Sequence, residues 1–166
     1  VFELPVGFKY IAEKMIKEKI FIGGEESGGV GFGDFMPERD AVYAALILLN
    51  GIVGKSQYLC ETLDEIQKNF GPSFYKRIDI KFPNQSEKNY FKDFILNNIP
   101  KKINEHKIIS SSMIDGIKLR INKNFWVLFR FSGTEPLLRL YCEAPKESFV
   151  DEVLLWGQKF INLARN

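Results

Sequence analysis

Between Gly7 and Lys19 the apolar residues Phe8, Ile11, Met15 and Ile16 return every three or four positions while Lys and Glu fill the gaps, which predicts a half-buried helix. Pro5 stands near its start, where a first-turn proline is tolerated. Ile20, Phe21 and Ile22 are too short a run for a helix and read as strand, and Gly23-Gly24-Glu25-Glu26-Ser27-Gly28-Gly29 then interrupts regular structure as a loop. After Gly31 and Gly33, Pro37-Glu38-Arg39-Asp40 introduces the most apolar stretch, predicted as a buried helix over residues 38–53, and a polar amphipathic helix follows over residues 56–70. Gly71-Pro72-Ser73 breaks the pattern. Downstream, Tyr75 to Phe82 alternates like a strand, Glu87 to Asn97 has helical spacing, and Ile108 to Cys142 is β-rich with turn signals at Asp115-Gly116 and Asn122-Lys123-Asn124. An amphipathic helix is expected from Phe149 to Ala164.

Helix and strand alternate before the break, and a meander of strands between helices follows it. The pattern therefore predicts an α/β part over residues 1–73 and an α+β part over residues 74–166. The chain has 166 residues, 45% hydrophobic and 14% aromatic, enough to bury a core and to exclude disorder. With 23 Lys+Arg against 21 Asp+Glu the net charge is +2, so composition gives no reason to expect a nucleic-acid or membrane partner, and any charge-driven function must be local. The apolar stretch from Ala41 to Val53 contains Asn50 and Gly51 and falls short of the roughly 18 to 20 residues of a membrane span. Cys60 and Cys142 form no CxxC pair and His106 is the one histidine, so neither a disulfide framework nor a zinc cluster is expected, and a reducing cytoplasm is. His106 reads as a surface loop residue, the cysteines as small core residues, and Trp126 and Trp156 as packing anchors. Val1 is not a start methionine and no signal-like segment follows it, which leads us to expect part of a longer protein.

Two loops carry candidate chemistry. Arg130-Phe131-Ser132-Gly133-Thr134-Glu135-Pro136 lies between two strand-like runs and combines two hydroxyls, a glycine open to close approach, and the arginines Arg130 and Arg139, the donors and positive charge that a phosphate needs. An ordinary hairpin turn with surface arginines fits the same composition. The upstream loop offers Glu25, Glu26 and Ser27 as acceptors suited to sugar hydroxyls, and a solvated glycine-rich turn fits it equally. Neither GxGxxG nor GxxxxGK[ST] is present, which disfavours nucleotide binding.

Taken in order, Val6-Gly7-Phe8-Lys9, Gly24-Glu25-Glu26-Ser27-Gly28-Gly29, Pro37-Glu38-Arg39-Asp40 and Arg130-Phe131-Ser132-Gly133-Thr134-Glu135-Pro136 resemble the α-D-phosphohexomutase superfamily, in particular its phosphoglucomutase/phosphomannomutase branch. The resemblance implies the later part of a three-layer α/β/α third domain, carrying the sugar-binding loop, followed by a fourth domain like the TATA-box-binding-protein fold, carrying the phosphate-binding loop. It implies a family that interconverts sugar 1-phosphates and 6-phosphates through a phosphoserine and a sugar bisphosphate, the latter as intermediate and activator, assisted by Mg²⁺. By match to the family motifs, Arg130, Ser132, Gly133 and Thr134 would clamp phosphate with Arg139 beside them, Glu25 and Ser27 would hold sugar hydroxyls, and Lys9 would face the substrate. Arg39 and Asp40 read as structural, Asp40 as a helix cap. Phe131, Ala41 and Leu4 depart from the usual proline, glycine and threonine without removing a donor or acceptor.

No TASHNP-like serine loop and no DGDxDR-like metal loop occurs in the sequence, so the catalytic serine and the Mg²⁺ ligands are expected in N-terminal domains outside it, and the chain alone is expected to be inactive. The Gly71 to Ser73 break is expected to act as a hinge for closure onto a phosphosugar. The alternatives are a non-catalytic sugar-phosphate-binding module and a nucleic-acid binder using Lys101, Lys102 and Lys107, the latter disfavoured because Glu105 interrupts the patch. The GEESGG loop looks closer to enzymes of glucose and mannose than to those of glucosamine.

Overall fold

A computed structural model of the chain describes residues 1–55 and 58–163. They form two compact units that divide within a helix, between Ile66 and Gln67, just ahead of the Gly71-Pro72-Ser73 break.

In the first unit, helix α1 (Phe8–Glu18) buries Phe8 and Met15, two positions on one face of the predicted stripe. It stops at Lys19, whose left-handed backbone (φ 51°) turns the chain toward the next strand. Strands β1 (Ile22–Gly24) and β2 (Val30–Phe32) pair antiparallel with Ile22 opposite Phe32, so the acidic loop is the tip of a hairpin. Helix α2 (Ala41–Lys55) begins where the Asp40 carboxylate accepts the Tyr43 N–H at 2.9 Å, the capping role expected of that aspartate. The burial expected for this helix is corrected: Val42, Leu46, Leu49 and Val53 are all more than half exposed. Hydropathy sets a helix's demand for cover and not its supply, and a two-stranded hairpin is too narrow to cover a helix that is apolar on all sides. Helix α3 (Leu59–Phe70) likewise leaves Leu59, Leu63 and Phe70 exposed. Cys60, expected in a core, is exposed on it for the same reason. Ser56, expected at the start of that helix, lies outside the described residues.

The second unit is built on a five-stranded antiparallel sheet in the order β3-β9-β8-β7-β6, comprising β3 (Phe74–Lys81), β6 (Ser110–Ser112), β7 (Ile117–Asn122), β8 (Phe125–Phe131) and β9 (Leu137–Ala144). A small hairpin, β4 (Lys102–Ile103) with β5 (His106–Lys107), precedes β6. Alternation along β9 sorts the faces: Leu138, Leu140, Cys142 and Ala144 enter the core, while Arg139, Tyr141 and Glu143 take the other side. Two helices close the core face. Helix α4 (Gln85–Asn97) contributes Phe91 and Ile95, and starts two residues ahead of the apolar pattern because Asn84 accepts the Glu87 N–H at 3.0 Å. Helix α5 (Glu147–Leu163) contributes Val150, Val153, Leu154 and Ile161, and its first turns hold Lys76 of β3 through Glu147 and Asp151, each at 2.9 Å. Ala164, the expected end of that helix, lies outside the described residues.

Phe91 gathers the rings of Phe82, Phe94, Phe131 and Phe160 with centroids 5.9–6.2 Å away. Phe131, a departure from the family pattern, is thereby absorbed into core packing. His106 is not a surface loop residue: it is half-buried on β5 with Phe125 and Phe149 at ring distances of 5.1 and 5.3 Å. No helix of the described residues is long and apolar enough to cross a membrane.

Burial, with a smaller contribution from the Glu143 charge, pushes the Cys142 thiol from its ordinary 9.0 up to about 12. The unfolded chain ionises this thiol first, so folding stability contributed by the neutral form is complete below pH ~9 and declines as pH rises toward ~12. Between pH ~9 and ~11, wild-type unfolding free energy should fall by about 1.4 kcal/mol per pH unit more steeply than that of Cys142→Ala, as read by urea denaturation. Equal slopes would contradict the thiol's burial.

Candidate functional site

The tip of the β1–β2 hairpin is held in shape by its own backbone, Glu25 N–H donating to the Gly29 carbonyl at 2.8 Å and Gly28 N–H to the Glu25 carbonyl at 3.0 Å. The Glu25 side chain is only 8% exposed. Its Oε1 accepts the Gly7 N–H at 3.1 Å and its Oε2 accepts Arg39 Nη1 at 3.3 Å. The first of these bonds brings the opening turn of α1, which carries Lys9, against the hairpin tip. Gly29 makes the second possible, since a Cβ there would meet Arg39 Cδ at 2.6 Å.

Glu25 is therefore an oriented carboxylate rather than a solvated one, and each oxygen keeps a further lone pair for another donor. Ser27 and Glu26 are exposed at the tip, and Lys9 is exposed with its ammonium 4.7 Å above the Tyr10 ring. The structure also gives Arg39 a role that capping logic missed. It is the cation that neutralises Glu25, and its guanidinium lies 5.5 Å from the Phe8 ring centre.

In the second unit the hairpin β8–β9 places Arg130 directly opposite Arg139, two rungs below the turn formed by residues 132–136. Two cations facing across a ladder repel, and acidic groups stand beside both. Asp115 accepts Arg130 Nε at 2.9 Å, and Asp79 stands directly opposite Arg139 on β3, where its carboxylate pairs with Arg77 Nε at 3.0 Å. Burial works against the Arg130 charge, but the hydrogen bond and charge of Asp115, with Tyr141 adding less, hold the guanidinium pKa above its usual value. The turn itself is a tight cup. Ser132 is buried, its N–H donates to the Leu137 carbonyl at 2.9 Å and its hydroxyl oxygen accepts the Glu135 N–H at 3.2 Å. Gly133 and Thr134 sit exposed at the rim, and no hydrogen bond within the described residues engages the Gly133 amide or the Thr134 hydroxyl.

Sequence reasoning missed two residues here. Asp115 reads as a turn former before Gly116, yet its carboxylate fixes the key arginine. Gly116 (φ +85°) brings that turn so close that a Cβ would meet the Phe129 carbonyl oxygen at 2.3 Å. Lys88 of α4 is 3% exposed and donates to the backbone carbonyls of Ser132 and Glu135 from beneath the turn. A usable signal was present, because Lys88 falls on the same helical stripe as Phe91 and Ile95.

Among the described residues no three His, Cys, Asp or Glu side chains come together as a metal site.

The profile described as phosphoglucomutase/phosphomannomutase, alpha/beta/alpha domain III, matches residues 1–70, and the C-terminal domain of the same family matches residues 84–154. A phosphoglucosamine mutase of Clostridium beijerinckii is 32% identical over 153 residues, covering 92% of this chain and 30% of that protein. A phosphoglucomutase/phosphomannomutase of Thermococcus kodakarensis is 29% identical over 99% of this chain and 33% of its own length. A crystal structure of a provisionally named phosphomannomutase from Thermus thermophilus superposes with a TM-score of 0.72 and 31% identity over 95% of this chain and 30% of that one. The chain thus spans about a third of the length of the relatives it matches.

Asp115→Asn should lower stability by about 1 kcal/mol through the weakened bond to a half-buried guanidinium. Gly116→Ala should cost more than about 1 kcal/mol, because the left-handed backbone and the Phe129 carbonyl both oppose a methyl group. Urea unfolding followed by the fluorescence of Trp126 and Trp156 measures both, and an unaffected Gly116→Ala variant would rule out the close approach.

Proposed function

Because the chain belongs to the phosphoglucomutase/phosphomannomutase family, we propose that it is the substrate-binding C-terminal part of an enzyme that interconverts hexose 1-phosphates and 6-phosphates. In such an exchange a phosphoserine donates its phosphoryl group, a sugar bisphosphate forms, and the group at the other end of the sugar returns to the serine. Transfer of this kind depends on positioning and on stabilising charge. An enzyme that must accept either end of one sugar needs a grip on whichever phosphate is not reacting.

The observation that carries this reading is the β8–β9 hairpin end, where the paired Arg130 and Arg139 stand behind a turn whose Gly133 amide and Thr134 hydroxyl are open. An anion there would relieve the repulsion between the arginines and take both fork and backbone donors. Buried Ser132 serves by shaping the turn through its bond with Glu135. Glu25, Ser27 and Lys9 are assigned to the sugar hydroxyls, with Arg39 holding Glu25 in place. The phosphoserine and the Mg²⁺ that assists it are assigned to the remainder of a longer protein, which leaves this chain a binding part.

Isothermal titration of the 166-residue chain with glucose, mannose and glucosamine 6-phosphates tests the reading. At least one should bind. Arg139→Ala and Thr134→Val should each weaken that binding by about five- to thirtyfold, the equivalent of ~1–2 kcal/mol for a lost charge-assisted contact. The same chain with Mg²⁺, glucose 1-phosphate and glucose 1,6-bisphosphate should give no glucose 6-phosphate in a coupled assay. Turnover by the pure chain would place the donor serine within it and overturn the assignment. Phosphosugar binding indifferent to both substitutions would remove the phosphate role of the hairpin end.

A further inference from the structure

Lys88 is an unusual group to find where it is. It lies on α4 in line with Phe91 and Ile95, is 3% exposed, and makes no ion pair with a carboxylate among the described residues. Burying an ammonium without a counter-charge is costly. Its partners are two carbonyl oxygens of one turn, those of Ser132 and of Glu135, the latter at 3.0 Å.

The consequence follows from peptide geometry. In a planar trans peptide the C=O and the N–H of the next residue point in opposite directions. Drawing the Ser132 carbonyl inward onto Lys88 therefore turns the Gly133 N–H outward, toward the rim where Thr134 also stands. Glu135 is the second point of attachment, and the peptide beyond it has no N–H to present because residue 136 is proline. Both ends of the Gly133-Thr134 segment are thus tied from below by one ammonium, and the Gly133 N–H faces away from it. The charge itself adds to the attraction, since a buried ammonium behind a tight turn is poorly screened.

We infer that Lys88 is the positioning residue of the anion-binding turn, a buried cation that fixes the Ser132 and Glu135 carbonyls inward so that the Gly133 amide is presented to a phosphate group. This rests on the proposed phosphate role of that turn, and it adds a residue that touches no ligand.

The test uses the ¹⁵N,¹³C-labelled 166-residue chain, titrated with inorganic phosphate and with glucose 6-phosphate. In the ligand-free protein Lys88→Met should shift the Ser132 carbonyl and Gly133 amide resonances and change Gly133 hydrogen exchange by at least tenfold. It should also weaken binding of either probe by tenfold or more, while Lys88→Arg, which keeps charge and donors, recovers most of that loss. Unchanged Ser132 and Gly133 signals in Lys88→Met would overturn the inference whether or not phosphate binds. Shifted signals with no phosphate binding by the wild-type chain would instead uphold the positioning and overturn the phosphate reading. If Lys88→Met does not fold, the wild-type Lys88 ammonium resonance decides: it should move during the titration with the same midpoint as the Gly133 amide, and a stationary ammonium signal overturns the inference.

Discussion

Two positively charged side chains held opposite each other across a β-ladder are the constraint around which the second unit is organised. The rung joining Arg130 to Arg139 is unfavourable in isolation, and the fold supports it from several sides. Asp115 is delivered to Arg130 by a turn that approaches the neighbouring backbone too closely for any side chain at residue 116. Beneath the sheet, Phe129, Leu138 and Leu140 are fully buried and prevent the strands from sliding apart to relieve the repulsion. The turn above is fixed by Ser132 and Lys88. Rigidity of this kind would suit the phosphate role proposed for this turn, since donors that are already aimed need not be ordered by the ligand.

The first unit achieves a similar end by the opposite means. Its acidic group is nearly buried and is neutralised by Arg39, while the first turn of α1 is pinned to the same carboxylate through the Gly7 amide. A loop rich in glycine would otherwise be free to sample many shapes. Here Gly29 serves packing, because the arm of Arg39 crosses the hairpin where a side chain at residue 29 would stand.

Most secondary elements were legible in the sequence because their patterns are plain: α1 from Phe8 and Met15, α5 from Val150, Val153 and Ile161, β3 from its alternation, and the β7 to β9 meander from β-rich runs between turn signals. The Asn84 cap, which moves the start of α4 to Gln85, was available in the residue type and was overlooked because the apolar stripe begins later. The exposure of α2 and of Cys60 was not legible, since hydropathy reports what a residue would prefer and not whether a neighbour exists to satisfy it. At the candidate site, Arg130, Gly133 and Thr134 stand out by chemistry that reads locally. Lys88 and Asp115 do not, because their contacts join positions 44 and 15 residues apart; the helical stripe that Lys88 shares with Phe91 and Ile95 marks it as buried without naming its partner.

The contrast between the two thiols has a practical side. Cys142 has no exposed surface and its thiolate is withheld by burial, whereas Cys60 is exposed on α3. A maleimide dye or nitroxide added to the unaltered chain near neutral pH would consequently attach at Cys60 alone, giving a single-site spectroscopic reporter without any engineered cysteine.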